Sequence, residues 1–311
     1  MYEPFEIEAD GVKCMALAKP TVESHKRICS RLGIFDGYEE SLKEKNLVGG
    51  ELEEVSTKHL LSRFLNSAAR TQVLACIEDD NCRQIAIEVF GLLSDGHIYL
   101  IDIAAGHGAG TISLLNAICK LREDGILSTD ALDIDIFALD FSATSLNFYQ
   151  EMLNSLSETH QEFGLNVSLI TKRIDITNDI EVKAAIEEIK LQATEQAGEK
   201  FGINPRYLLI CSAISGVEKR VFLNEFAQSY QSITESFRDD SSAFLWVEPN
   251  SKKDWMPKHW QDFYEKLKAI PEDDDSKSKQ MVKQKYDWVD PHLTTKVPTT
   301  AGDYFLMKLA V

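Results

Sequence analysis

The chain has 311 residues, 44% of them hydrophobic and 27% charged, which suits a folded globular enzyme and excludes a disordered or fibrous chain. Its formal net charge of -17 repels polyanions, so nucleic acid is not an expected partner unless another chain supplies a basic surface. No apolar run approaches 18 residues, and the acidic opening "MYEPFEIEADG" lacks the positive-then-apolar order of an export signal, so no membrane partner is expected and the expected compartment is cytoplasmic. The six cysteines form no CxxC pair and have no histidine at zinc-finger spacing, so no disulfide framework and no metal site is expected.

In chain order, residues 1–97 read as a mostly helical N-terminal unit. One helix starts at Pro20 and Thr21, carries Val22, Ile28 and Leu32 on one face and stops at Gly33. A second is capped by Ser56 and carries Leu60, Leu61, Phe64, Leu65, Ala68 and Val73 at helical spacing, and a third follows Asn81. Such a unit suits a cap or lid over a site, or a surface for a protein partner or a second copy of the chain; periodicity does not separate these.

From Ile98 onward short apolar runs alternate with longer amphipathic ones. Strands are expected at Ile98 to Ile103, Ile136 to Leu139, Val167 to Ile174, Tyr207 to Ile210, Phe244 to Val247, Tyr286 to Val289 and Tyr304 to Ala310. The helices between them are expected at Thr111 to Leu121, Ala143 to Leu156, Ile180 to Gln196, Lys219 to Phe237 and Trp255 to Leu267. The alternation predicts an α/β domain over 98–311, a doubly wound, mostly parallel sheet of seven strands. Ligands of such sheets collect at the carboxyl ends of the strands, where strand order reverses. "PEDDDSKSKQ" reads as a linker.

At the end of the first of these strands, "YLIDIAAGHGAGTISLL" places Asp102 before Gly106, Gly108 and Gly110, with His107 between two glycines. The spacing is G-x-G-x-G, not the G-x-G-x-x-G of dinucleotide turns, and no Gly-Lys-Ser or Gly-Lys-Thr of a Walker loop follows. A carboxylate at Asp102 also opposes a pyrophosphate beside it. A ligand with an amine and a sulfonium and no phosphate fits better.

The motif "IDIAAGHGAG" resembles the first motif of Rossmann-like, class I S-adenosylmethionine-dependent methyltransferases, with Ala104 where the family usually has a further glycine. That replacement is compatible with a negative φ at Ala104. The resemblance extends to the next two strand ends. It implies that Asp140 accepts the ribose hydroxyls with Phe141 against the adenine, and that Asp175 and the Ile176 N–H meet the adenine edge. Asp102, Ala104, Gly106, His107, Gly108, Gly110 and Ser212 complete the implied cofactor-lining set. Gly110 and Asp140 lie 30 residues apart, against ~20 for a nucleotide-binding turn and its ribose acid. A loop at "REDGILSTDALD" accounts for the excess, and Asp133 and Asp135 are rival ribose acids.

The fourth strand end, "LLICSAISGVEKR", lacks the Asp or Asn, paired prolines and aromatic with which the family methylates planar amines, which disfavours adenine, cytosine N4 and glutamine acceptors. Cys211 reads as a buried strand-end thiol. After the fifth strand, Glu248 and Asn250, with Trp255 and His259 on the next helix, are candidates for the acceptor pocket; no catalytic residue is identified. The expected activity is methyl transfer to a small-molecule or protein acceptor. The alternatives are a non-catalytic, methyltransferase-like subunit of a larger complex and, less favoured, an NAD-dependent oxidoreductase.

Overall fold

A computed structural model describes residues 3–44, 49–76, 82–201, 205–212, 214, 217, 219–238, 241–249, 279–297 and 299–308. The chain opens with a hairpin, β1 (Glu6–Ala9) against β2 (Val12–Met15), turned through Asp10 and Gly11 at φ of 52° and 72°. A two-residue Asp-Gly turn with both φ positive matches the right-handed twist of its strands. This hairpin sits within the segment read as mostly helical.

Four helices follow: α1 (Lys19–Arg31), the short α2 (Tyr38–Ser41), α3 (Glu53–Gln72) and α4 (Arg83–Leu92). Helix α3 begins three residues before the expected cap. Its N-cap is Leu52, because the Ser56 hydroxyl is held by the Gly50 carbonyl (2.8 Å) and by Ser142 Oγ (2.9 Å).

The α/β part runs β3 (Gly96–Ile103), α5 (Ala109–Glu123), β4 (Leu132–Asp140), α6 (Ala143–Asn154), α7 (Ser157–Glu162), β5 (Leu165–Arg173), α8 (Asp179–Phe201) and β6 (Arg206–Ser212). Next come α9 (Lys219–Val221), a π-helical turn at Phe222–Phe226 that leads into α10 (Ala227–Ser236), and β7 (Ser241–Pro249). The chain then forms β8 (Lys279–Tyr286), β9 (Val289–Asp290), β10 (Thr295–Lys296) and β11 (Thr300–Lys308). The strand expected at Tyr286 to Val289 is displaced: β8 ends at Tyr286, and Val289 opens the small β9–β10 ribbon. Lys279 and Gln280, assigned to the linker, belong to β8. The helix expected at Trp255 to Leu267 and residues 271–278 of that linker lie outside the described residues.

Seven strands form one sheet in the order β5-β4-β3-β6-β7-β11-β8, parallel except for β11, which runs antiparallel between β7 and β8. The order reverses between β3 and β6, so the ends of β3, β4, β5 and β6 converge on one edge. Side chains alternate between two cores. Ile98, Leu100, Ile134, Ile136, Leu208 and Ile210 pack with α1, α3, α5 and α6, whereas Tyr99, Ile101, Phe137, Leu209 and Trp246 pack against α8 and α10. Strands buried on both faces are the mark of a doubly wound sheet and explain why they read as nearly continuous apolar runs. The fold is a doubly wound, Rossmann-like α/β sheet with an antiparallel β11. All six cysteines are buried and none is in a disulfide, and among the described residues no helix is long and apolar enough to cross a membrane.

Candidate functional site

A cleft of about 430 Å³ opens at the carboxyl ends of β3, β4, β5 and β6, roofed on one side by α3. Of the residues singled out in the sequence, Ala104, Gly106, His107, Gly110, Asp140, Phe141, Asp175, Ile176 and Ser212 line it.

The three glycines of the turn have three different causes. At Gly106, φ is +53°, and a Cβ would meet nothing within 4 Å, so this is the point where the backbone lies open to a ligand. Gly108 is the left-handed N-cap of α5 at φ +70°, and a Cβ there would strike the Tyr149 ring at 2.3 Å. At Gly110 a Cβ would meet Ser212 at 2.8 Å and Thr71 Oγ1 at 3.3 Å, so this glycine lets α5, β6 and α3 close together. Gly106 and Gly110 line the cleft and Gly108 does not. Ala104 has φ +52°, not the negative φ expected, and so occupies a left-handed position where an L side chain is strained by about 1 kcal/mol.

Asp102 lies one layer beneath the cleft and does not line it. Its Oδ2 accepts from the Thr111 hydroxyl at 2.7 Å. Burial raises its carboxyl to about 7; the Thr111 and Tyr149 hydroxyls draw it down, and Asp140 adds to the rise. It braces the first turn of α5 from below.

Asp140, 5% exposed, ends β4 and is fixed on both oxygens. Oδ2 accepts from the Gly106 N–H and Oδ1 from the Ser142 N–H, each at 2.8 Å. A carboxylate has about four acceptor sites, so one on each oxygen remains for a ligand. Burial pushes its carboxyl above the usual range, against the amides of Ser142, Gly106 and Phe141. The rivals are eliminated by register: Asp135 accepts from His97 Nε2 at 2.9 Å and Asp133 from Asn166 at 2.8 Å, both in the first half of β4. Helix α5 runs on to Glu123 and β4 begins at Leu132, so the long spacing is mostly helix and strand rather than loop.

Phe141, 42% exposed, and Asp175 stand at the open mouth. Asp175 Oδ1 accepts from the Thr177 N–H and hydroxyl, while Oδ2 takes no partner among the described residues. The Ile176 N–H is likewise unmatched among them.

His107 is not the exposed turn residue that its position between glycines suggests. It is buried between His59 and Phe148, with ring centroids 5.6 and 6.0 Å away, and Ser145 Oγ lies 3.4 Å from Nε2. Burial lowers both imidazoles, His59 to about 4 with help from Arg63, and His107 well below the usual value with help from His59. Both are neutral at pH 7 and act as aromatic packing.

Glu248 turns away from the cleft. Its Oε1 accepts from the Ile214 N–H at 2.8 Å and from Trp246 Nε1 at 2.9 Å, which holds Ile214 beside β7. Asn250, Trp255 and His259 lie outside the described residues. Cys211 is buried, with its sulfur 3.4 Å from the Tyr230 hydroxyl, and burial pushes its thiol well up, as expected of a structural thiol.

Sequence reasoning missed the polar face of α3 and, elsewhere in the lining, Ser142 and Ser145 at the start of α6 and Phe226 on the π-helical turn. His59, Arg63, Asn66, Ser67 and Arg70 line the cleft opposite the strand ends. Positions 59, 63, 66 and 70 recur at helical spacing, a polar stripe beside the apolar one that defined the helix. Three cleft residues carry buried polar atoms without a hydrogen bond: Arg70 (Nε and Nη1), Asn66 (Oδ1) and Ser212 (Oγ). Buried polar groups are nearly always paired, so these mark where a ligand's own groups complete the site. Among the described residues no cluster of His, Cys, Asp and Glu could hold a metal ion.

No family model and no curated protein matches the chain. Solved structures similar to it include a SAM-dependent methyltransferase from Agrobacterium tumefaciens, at 7% identity over 71% of this chain and 59% of that one, with a TM-score of 0.40. A precorrin-6y C5,15-methyltransferase from Geobacter metallireducens is 10% identical over 72% and 87%, with a TM-score of 0.35. The DszA carbon methyltransferase is 12% identical over 93% and 65%, with a TM-score of 0.37. The sheet order given above, and not these likenesses, defines the fold.

Proposed function

We propose that the chain is an S-adenosylmethionine-dependent methyltransferase whose acceptor is a small molecule or a protein, and that residues 1–97 act as a fixed cap over the cleft. The observation that carries this reading is Asp140. A buried carboxylate at the end of the second strand keeps one acceptor site per oxygen toward the cleft and is locked by backbone amides, the arrangement that receives a ribose diol through two charge-assisted hydrogen bonds. Asp175 Oδ2 and the Ile176 N–H, acceptor and donor side by side at the mouth, suit the amino group and ring nitrogen of an adenine, with Phe141 against its face.

When bound, S-adenosylmethionine supplies an electrophilic methyl on its sulfonium. The protein contributes placement: Gly106 gives the ligand room, α3 and the sheet edge exclude water, and an acceptor held in line with the methyl needs little further chemistry. The same geometry weighs against a dinucleotide, because the Gly106 N–H that a pyrophosphate would take is already donated to Asp140.

Calorimetric titration of the full chain with S-adenosylmethionine and S-adenosylhomocysteine tests the reading. One ligand per chain is expected for both, and folded protein that gives no heat and no thermal shift with either overturns it. Labelled S-adenosylmethionine added with the protein to a cell extract then identifies the acceptor.

A further inference from the structure

Helix α3 carries an orphaned cation and an orphaned acceptor one turn apart. Arg70 is 4% exposed and lines the inner part of the cleft, yet its Nε and Nη1 make no hydrogen bond and no carboxylate pairs with it among the described residues. A buried guanidinium without a counter-ion is strongly unfavourable, so its retention calls for an anion from outside the described residues, and a bound ligand is the source the open cleft offers. Four residues earlier on the same face, Asn66 Oδ1 is also buried and unmatched, and it requires a donor. Ser212, whose hydroxyl is unmatched too, faces the same space from the end of β6.

The charges of the cleft select the ligand further. Its opposite wall bears the carboxylates of Asp140 and Asp175 and the lining histidines are neutral; of the two lining cations, Arg63 is half-buried and already donates to the Glu44 carbonyl, so a multiply charged anion such as phosphate would meet one buried, unpaired cation against two acids. A single carboxylate with an ammonium beside it matches both orphans at once.

We infer that Asn66 and Arg70 form a receptor for an α-amino-acid zwitterion, Arg70 taking the carboxylate and Asn66 the ammonium. This rests on the reading of the cleft as a nucleoside site only for the choice of source. The zwitterion is either the amino-acid end of the sulfonium nucleoside or an amino acid that serves as acceptor.

Titration of the full chain with three nucleosides separates these cases: S-adenosylhomocysteine, its decarboxylated analogue, which keeps the amine, and 5′-methylthioadenosine, which lacks both groups. If the nucleoside supplies the zwitterion, Arg70→Met weakens S-adenosylhomocysteine by about 50-fold and leaves the other two within about twofold. Asn66→Leu then weakens the two amine-bearing ligands by about tenfold and spares 5′-methylthioadenosine. Arg70→Lys, which keeps the charge but not the planar fork, falls between wild type and Arg70→Met.

If an acceptor supplies it, S-adenosylhomocysteine is indifferent to Arg70→Met. The S-adenosylhomocysteine-loaded wild type then binds at least one of the free amino acids, and the variant binds none. Wild type that binds no nucleoside sinks the methyltransferase reading alone, and the amino-acid titration of the unliganded chain then decides the receptor. The receptor is overturned if Arg70→Met moves neither nucleoside nor amino-acid binding. Loss of fold does not confuse the result, since removing a buried cation without a partner is expected to raise the melting temperature of the unliganded chain by a few degrees.

Discussion

The cleft has two walls built on opposite principles. On the wall of strand ends the acids are held within the chain: Asp140 by two amides and Asp175 by a turn, so they keep their orientation with or without a ligand, and only the Ser212 hydroxyl at the end of β6 has a buried side-chain atom unmatched there among the described residues. The wall of α3 is the reverse, for Arg70 and Asn66 keep buried polar atoms that nothing among the described residues meets. A satisfied wall sets position and an unsatisfied one sets affinity, because the orphaned groups gain most when a ligand arrives.

The largest effect that could break this division is at the nucleoside end. Asp140→Ala is expected to weaken 5′-methylthioadenosine and S-adenosylhomocysteine alike by about 100-fold or more, as two charge-assisted hydrogen bonds go and the Gly106 amide loses its partner. Titration that shows only S-adenosylhomocysteine affected would erase the distinction between the walls.

Beneath the strand wall, Asp102 ties stability to pH. Its folded carboxyl, raised from 3.8 to about 7, holds a proton that the unfolded chain releases. It therefore favours folding most below about pH 4, and that advantage fades as the pH rises through 7. Asp102→Asn keeps an acceptor for Thr111 without the charge. It is expected to stabilise the chain by up to about 4 kcal/mol at pH 8 and hardly at all at pH 3.5. Urea unfolding across that range checks it, and a difference that does not change with pH contradicts the assignment.

The α3 wall has its own anchor, the Tyr304 hydroxyl on the Arg70 carbonyl at 2.7 Å. Tyr304→Phe leaves that buried carbonyl unmatched, for an expected loss of about 1–2 kcal/mol in denaturant unfolding, together with weaker S-adenosylhomocysteine binding but unchanged 5′-methylthioadenosine binding. The smallest effect returns to the strand wall: Ala104→Gly relieves a positive φ and is expected to stabilise by about 0.5–1 kcal/mol, read as a rise in melting temperature. A fall there would mean that the methyl group packs better than the backbone suffers.

The contrast also explains what the sequence could show. Residues at strand ends are legible because sheet topology places them at the edge where the strands converge: Asp140, Phe141, Asp175 and Ile176, which the resemblance picked out at or just past strand ends, all line the cleft. Asp102 closes its strand in the same way yet serves the fold from below, since alternation and not rank along the strand decides which side chains face the cleft. Glu248 misled for the same reason. On α3 the apolar stripe was legible and the polar one was not singled out, because nothing local reveals which helix face docks over a cleft. His107 could not be placed until His59 and Phe148 were brought to it. The hairpin left a signal, Asp10-Gly11 between short alternating runs, that the helical pattern around it obscured.

The far end of α3 is bolted down. The Gln72 side chain takes the Ala18 N–H and gives to the Ala16 carbonyl, both at 2.7 Å, and Ser113 and Tyr304 hold the carbonyls of Ala68 and Arg70. These bonds tie α3 to the rest of the fold close to Arg70, and among the described residues the exposed rim at Phe141 and Asp175 is the open mouth of the cleft. A visitor held as inferred enters with its charged tail leading, and the base, last to seat, is the first part to let go.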